Sequence, residues 1–352
     1  MKIARLDAVP LAIPFSHGAG ARKKLDFCLV RVETDEGLVG WGEAFAYSCR
    51  GAVAAAINDM IAPLVLGQDA TQIAALHGGI QRKLHIFGRF GITVFALSGL
   101  DIALWDIAGK VAGVPLHKLL GGSRLSSIPC YASLLRYGEP APVAQYCERA
   151  LSEGYTAVKL HEVADAAVAA ARKVVPAEIP LMLDVNCEWQ RDDAVRMAQR
   201  FERHHLHWLE EPVFPPEDFA ALRAVGESSG IATAAGENLC FATQFAALFA
   251  AQAVKFAQPS VTKVGGVTEF LKVVELAESV QIAPHSPYFG PGALATVHLI
   301  AAKAPEARFE HFYLWPEATL YPGRFGKSVI ELPQTPGLGV DPDPEVMRRY
   351  RT

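Results

Sequence analysis

Between about residue 127 and residue 312 the chain repeats one unit, a short apolar stretch followed by a longer stretch with helical spacing. The strand-like pieces read "SIPCYASL", "TAVKLHE", "IPLMLDVN", "HLHWLEEP", "IATAAGE", "AVKFAQPS", "VQIAPHS" and "ARFEHF". Polar landmarks near their carboxyl ends, Lys159, Asp184, Glu210, Glu237, Ser260, His285 and Glu310, follow one another at steps of 25, 26, 27, 23, 25 and 25 residues. A strand, a helix and two loops fill such a step, and eight strands close a parallel α/β barrel of the (β/α)7β, TIM-like type. An open doubly wound sheet is the competing architecture, but it does not require so many even units. In barrels the catalytic groups sit where strands end and loops begin, and every landmark lies there.

The chain before the barrel has a different texture. Residues 3–13 and 27–34 read as strands, and "TDEGLVGWGEA" supplies turn glycines followed by a third, which together describe an antiparallel meander. Helical stretches follow at about 51–64, 71–85 and 91–112, the last closed by Gly113, Val114 and Pro115. We therefore expect an α+β capping domain over residues 1–122 and a barrel over 123–319. The tail, 320–352, is expected to pack back on the capping domain.

Half the residues are hydrophobic (51%), 20% are charged and the formal net charge is only -4, which argues against disorder and against a nucleic-acid surface. A small molecule is the expected partner. The six cysteines (Cys28, Cys49, Cys130, Cys147, Cys187, Cys240) form no C-x-x-C pair, so neither a zinc knuckle nor a disulfide framework is expected, and a reduced, cytoplasmic setting fits. Asp7 and the prolines of "MKIARLDAVPLAIPF" break any secretory leader, and no run of about 18 uncharged apolar residues is present to span a membrane.

Three consecutive units end in a carboxylate, Asp184, Glu210 and Glu237. Acids converging in a low-dielectric barrel mouth repel one another, so the arrangement is stable when a cation neutralises them. All-oxygen ligation selects a hard ion such as Mg²⁺, which keeps positions open for water or substrate. Two bases precede the first acid. Side chains alternate along a strand, so Lys159 and His161 share a face of the second barrel strand, and His285 stands across the barrel. Blander readings remain open: Lys159 pairing with the acids, His161 as a packed core histidine, His285 as a loop anchor. Lys263 reads as a loop or supporting group, and "HHLH" at 204–207 as packing residues at the opposite pole. The segment "PFSHGAGARKKLD" offers glycines for mobility and Arg22, Lys23 and Lys24 to attract an anion, or is simply a solvated hairpin loop.

In order and spacing these features resemble the enolase superfamily, in its mandelate racemase and muconate-lactonising branch. The residues that carry the resemblance are "ALSGLDIALWDIAGKVAGVPLHKLLGG", the three spaced acids, "KVGGVTE" after the sixth strand, the seventh-strand histidine and "PGLGVDPDPEV" near the end. The resemblance implies one Mg²⁺ per subunit held by Asp184, Glu210 and Glu237, removal of a proton α to a carboxylate, and a homo-oligomer. Lys159 matches the first lysine of the family's K-x-K motif, and His161 stands where the second would be. His285 matches the seventh-strand base, and Glu310 the eighth-strand acid that hydrogen-bonds the substrate carboxylate. Asn186, His17, Arg22, Ser260 and Tyr288 make up the expected substrate-binding set, His17 and Arg22 belonging to a lid from the capping domain. Ser260 departs from the pattern, replacing the aspartate that orients the seventh-strand histidine. An imidazole of ordinary pKa, ~6.5, is nonetheless poised for proton transfer at neutral pH.

The expected reaction is Mg²⁺-dependent dehydration of an acid sugar to a 2-keto-3-deoxy acid. One base takes the α-proton and a protonated histidine assists the departing hydroxyl, with His161 and His285 dividing the roles from opposite sides. Racemisation or epimerisation is the first alternative, and carboxylate binding without turnover is the second.

Overall fold

The computed structural model describes residues 1–16, 24–122 and 125–352. His17, Arg22 and Lys23 lie outside the described residues, as does most of the expected lid.

Strands β1 (Ile3–Ser16), β2 (Lys24–Thr34) and β3 (Val39–Ala44) form the antiparallel meander, with β1 and β2 in register from Arg5 opposite Glu33 to Pro14 opposite Lys24, after a shift between Ile3 and Arg5. Of the glycines expected to turn the chain, only Gly37 does so, at φ +82°. Gly40 and Gly42 lie inside β3 and serve a different purpose. A Cβ at Gly42 would sit 1.9 Å from the carbonyl oxygen of Gly99, and one at Gly40 would sit 2.3 Å from that of Ala103. The helix Ile92–Ala112 therefore rests directly on the backbone of β3, closer than any side chain permits.

By length and composition that helix is apolar enough to cross a membrane, but 72% of its apolar window is buried inside the fold. Its two inner acids explain how it stays there. Asp101 accepts hydrogen bonds from the Thr268 backbone N–H at 2.9 Å and from its hydroxyl. Asp106 accepts from the N–H groups of Trp41 (2.9 Å) and Leu338 (2.7 Å) and pairs with Lys110. A buried carboxylate is tolerable once its lone pairs are taken, and here the meander, the barrel and the tail each supply a donor.

Eight short parallel strands follow: β4 (Ser127–Ser133), β5 (Val158–Leu160), β6 (Leu181–Asp184), β7 (Leu209–Glu210), β8 (Thr233–Ala235), β9 (Phe256–Ala257), β10 (Gln281–Ile282) and β11 (Phe309–Phe312). Each pairs with the next from β4 to β10, and β11 returns beside β4. The β10 to β11 join is made by side chains. The Ser286 N–H donates to Glu310 Oε2 at 3.1 Å, and the Glu310 N–H donates to Ser286 Oγ at 3.0 Å. Alternation along these strands sorts the residues into layers. Val158, Leu160, Leu181 and Leu183 face the surrounding helices, whereas Tyr131, Ala157, Met182, Trp208, Ala234 and Phe256 form an apolar plug inside the barrel. One step further along the same inward faces come Ser133, Lys159, Asp184 and Glu210. The charged layer thus stands on a dry floor.

Two final strands, β12 (Trp315–Pro316) and β13 (Val329–Glu331), pair with β1 and β4. The tail then touches the capping domain: the Leu116 N–H donates to the Gly337 carbonyl at 2.8 Å, Lys110 pairs with Asp341 at 2.9 Å, and the Thr352 N–H donates to the Pro10 carbonyl at 3.1 Å.

Candidate functional site

Asp184, Glu237, His161, Asn186, His285, Tyr288, Lys263 and Glu310 line one cavity of about 190 Å³ at the carboxyl ends of the barrel strands, lined on the other side by Glu43, Phe45 and Tyr47 of the capping domain. The structure thus brings most of the residues expected from the sequence to one place. Glu210 and Lys159 lie just beneath, fully buried. Ser260, also fully buried, reaches the cavity through Tyr288.

Lys159 is the hub of the lower layer. Its Nζ lies 2.9 Å from Glu210 Oε1, 2.7 Å from Glu310 Oε1 and 3.4 Å from Asp184 Oδ2. Burial works against its charge, but Glu210 and Glu310, with Tyr131 and Asp184 behind them, outweigh burial and hold its pKa well above the ordinary lysine value. For Asp184 burial also opposes ionisation, and Lys159 and His161 overcome it, drawing its carboxyl far below the usual carboxylate range. Glu210 goes the other way. Burial, reinforced by the neighbouring charges of Asp184 and Glu310, pushes it up despite Lys159, and its second oxygen accepts the Trp208 indole N–H at 2.9 Å.

The two imidazoles occupy opposite flanks. His161 Nδ1 is bonded to the Leu134 carbonyl, which fixes the proton on that nitrogen and leaves Nε2 facing Asp184 Oδ2 at 3.2 Å. His285 Nε2 lies 2.5 Å from Glu237 Oε2, while its Nδ1 lies 3.2 Å from the Tyr288 hydroxyl. Burial opposes the charge on Glu237, but His285 and Lys263 more than offset it and lower its pKa strongly. Asn186, at φ +50°, donates from both its backbone N–H (2.9 Å) and its side-chain amide (2.6 Å) to Asp184 Oδ1, so it orients that acid. Glu310, expected to meet a substrate carboxylate, stands at the cavity wall with both oxygens partnered, Oε1 by Lys159 and Ser133 and Oε2 by the Ser286 N–H.

Among the described residues no group of three or more His, Cys, Asp or Glu side chains is gathered so as to hold a metal ion. The partners show why: Asp184 and Glu210 turn to Lys159, and Glu237 turns to His285. The donors themselves suit a hard divalent ion. Asp184, Glu210 and Glu237 offer only oxygen, and a further buried acid, Glu211, adds to an excess of negative charge beside them. Burial and the charge of Glu237 push the Glu211 pKa up.

One buried acid of the site, Glu43, was not singled out from the sequence. Glu43 is buried in the cavity wall, where its Oε2 accepts the Gly292 N–H at 2.8 Å, and burial pushes its pKa up to about 7. Lys263, read from the sequence as a loop or supporting group, is both: it stands in the turn after β9, against Glu237. Its Nζ lies 3.9 Å from Glu237, donates to Asn238 Oδ1 at 3.3 Å and sits 4.8 Å over the Phe45 ring. The capping domain fixes it there by gripping the next turn: the Gly265 N–H donates to Ser98 Oγ, the Gly265 carbonyl meets His77 Nε2, and a Cβ at Gly266 would strike Asp101 at 2.4 Å. The "KVGG" spacing was the available signal. "HHLH" lies where expected, with His204 paired to Asp165 at 2.9 Å and His207 packed on Trp208.

Comparison with known proteins agrees with this geometry. The family model for the mandelate racemase/muconate lactonizing enzyme N-terminal domain matches residues 2–121, and that for the enolase C-terminal domain-like unit matches residues 142–346. A 3,6-anhydro-alpha-L-galactonate cycloisomerase of Streptomyces coelicolor is 32% identical over 94% of this chain and 92% of its own. A D-gluconate dehydratase of Thermoproteus tenax is 31% identical over 92% of this chain and 69% of its own. The crystal structure of an L-talarate dehydratase from a Polaromonas species, complexed with Mg and L-glucarate, shares the fold at a TM-score of 0.85 and 28% identity, covering 100% of this chain and 98% of that one. The chain therefore belongs to the enolase superfamily of enzymes, in its mandelate racemase and muconate lactonizing enzyme branch.

Proposed function

We propose that this protein removes the proton α to the carboxylate of an acid sugar and expels the oxygen on the next carbon, giving a 2-keto-3-deoxy acid. The observation that carries this reading is the pair of imidazoles, His161 and His285, on opposite flanks of one cavity that also holds Asp184 and Glu237. Asp184, Glu210 and Glu237 would hold Mg²⁺, an assignment supported by their all-oxygen donor set and by the Mg in the Polaromonas relative. When bound, the ion stabilises the negative charge that builds on the substrate carboxylate as the α-proton leaves.

The chain's own residues do the rest. Lys159, tied to three carboxylates, is no free base; it balances charge and holds Glu210 and Glu310 in place. One imidazole accepts the α-proton at Nε2 and the other, protonated, donates to the departing oxygen, because hydroxide leaves poorly without acid help. Asn186 keeps Asp184 aimed, and Glu43, Phe45 and Tyr47 form the wall on the capping-domain side.

A second reading is favoured by the Streptomyces relative. Where the β-oxygen belongs to a ring ether, the same elimination opens the ring and loses no water, which is cycloisomerisation. Incubating acid sugars and their anhydro forms with the Mg²⁺-loaded protein and weighing the products separates the two. A 2-keto acid lighter by one water supports dehydration, and one of unchanged mass supports ring opening. An inverted substrate with no keto product would overturn both in favour of epimerisation, and silence across the whole set would leave only carboxylate binding.

A further inference from the structure

Residue 260 carries no carboxylate, yet the inner face of His285 is not left bare. The Tyr288 hydroxyl lies 3.2 Å from His285 Nδ1 and 2.5 Å from Ser260 Oγ, and Ser260 Oγ lies 3.5 Å from Thr262 Oγ1. The two rings meet edge to face with centroids 5.7 Å apart, a contact that limits rotation of the imidazole. Ser260 and Thr262 are both fully buried, so water does not compete for the chain of hydroxyls. Burial raises the Tyr288 pKa, which keeps the phenol neutral and able both to accept and to donate.

We propose that Tyr288 and Ser260 form the positioning pair of His285: the Tyr288 hydroxyl accepts the Nδ1–H of the ring and donates its own hydrogen bond to Ser260 Oγ, so that Nε2 is the nitrogen turned to the cavity. Glu237 Oε2, 2.5 Å from Nε2, draws the ring proton the other way unless Mg²⁺ holds that acid, which is why the test uses the loaded protein. A hydrogen bond made by one ring nitrogen decides which tautomer the other presents. Two neutral hydroxyls thereby do the orienting work of an anion without adding a further negative charge beside Glu237 and Glu310. His161 follows the same rule by a simpler route, its Nδ1 being bonded to a backbone carbonyl. Both imidazoles then show Nε2 to the space between them.

The catalytic consequence rests on the proton abstraction proposed above, whereas the tautomer itself needs no substrate. The test is ¹⁵N NMR of Mg²⁺-loaded protein labelled in its histidines, at a pH where the rings are neutral, with His285→Asn identifying the signals. The wild type is expected to show His285 with its proton on Nδ1, and Tyr288→Phe, which keeps the ring but removes the acceptor, is expected to move the proton toward Nε2. In kinetics on a turned-over acid, Tyr288→Phe should lower kcat roughly ten- to a hundredfold with KM little changed, the usual cost of losing an orienting partner. An unchanged tautomer in Tyr288→Phe, or Nε2–H already in the wild type, overturns the pair whatever the activity. If instead the tautomer moves as expected but the wild type releases no α-proton from any acid, the pair stands and the proposed function falls.

Discussion

Lys159 bears more of the site's electrostatics than any other residue. It is a lone ammonium, fully buried, within 3.4 Å of three carboxylates. Removing one partner of a buried ion pair strands the other, at a cost on the order of 3–5 kcal/mol. Lys159→Met, similar in length but neutral, is accordingly expected to lower stability to denaturant by about that amount in the absence of divalent ions, and added Mg²⁺ should recover part of the loss by taking over the neutralisation. Equal stability of the two proteins would contradict the assignment of Lys159 as the charge hub. At this scale much was legible from the sequence. Period-two alternation puts Lys159 and His161 on one face, and strand-end spacing lines up Asp184, Glu210 and Glu237. What spacing could not convey is which partner each side chain chooses. That Glu237 turns to His285, or that Tyr288 bridges His285 and Ser260, depends on rotamers set by packing between loops far apart in the chain.

At the scale of elements, β3 shows how a short motif does two jobs. Its glycines let the helix Ile92–Ala112 settle on its backbone, and that contact carries Glu43 to the N-terminus of the helix Pro291–Lys303. A methyl group at Gly42 would meet Gly99 O and the Ala103 nitrogen, neither of which can move without displacing the helix. Gly42→Ala is therefore expected to destabilise the protein by about 1–3 kcal/mol, and unfolding with urea would measure it. Glu43 adds a pH signature. Its carboxyl titrates near 7 in the fold, against 4.5 in its ordinary state. A raised acid favours the fold when protonated, so its contribution is fully present below pH 4.5 and is lost as the pH rises through 7, a change on the order of 3 kcal/mol. Glu43→Gln keeps the bond to Gly292 and removes the titration. The variant's Tm should thus gain on the wild type between pH 4.5 and 7, whereas a constant difference would show that Glu43 does not titrate there. The turn reading of "TDEGLVGWGEA" held only for Gly37, because a glycine that turns a chain and one that admits a neighbouring backbone look alike in one dimension. Strand lengths were likewise overstated: β7, β9 and β10 pair over two residues each, Glu210 closing β7 while Ser260 and His285 stand in the loops beyond β9 and β10.

At the scale of the whole molecule, the site is a product of two domains that neither builds alone. The barrel supplies the acids, the lysine and the imidazoles, and the capping domain supplies a wall and the grip on the "KVGG" turn that aims Lys263. The barrel grammar was readable because six near-equal steps between strand ends leave little other room, while the junction was not, since Glu43 and Gly292 lie 249 residues apart. The central claim is that these parts break a carbon–hydrogen bond next to a carboxylate. The most direct measurement follows an acid-sugar substrate carrying deuterium on its α-carbon, by NMR, with the protein loaded with Mg²⁺ and again after chelation. The account predicts that the loaded protein releases the label to water as product forms and that the stripped protein leaves it in place. Product that retains the α-deuterium, or loss of label at the same rate without the ion, would contradict it.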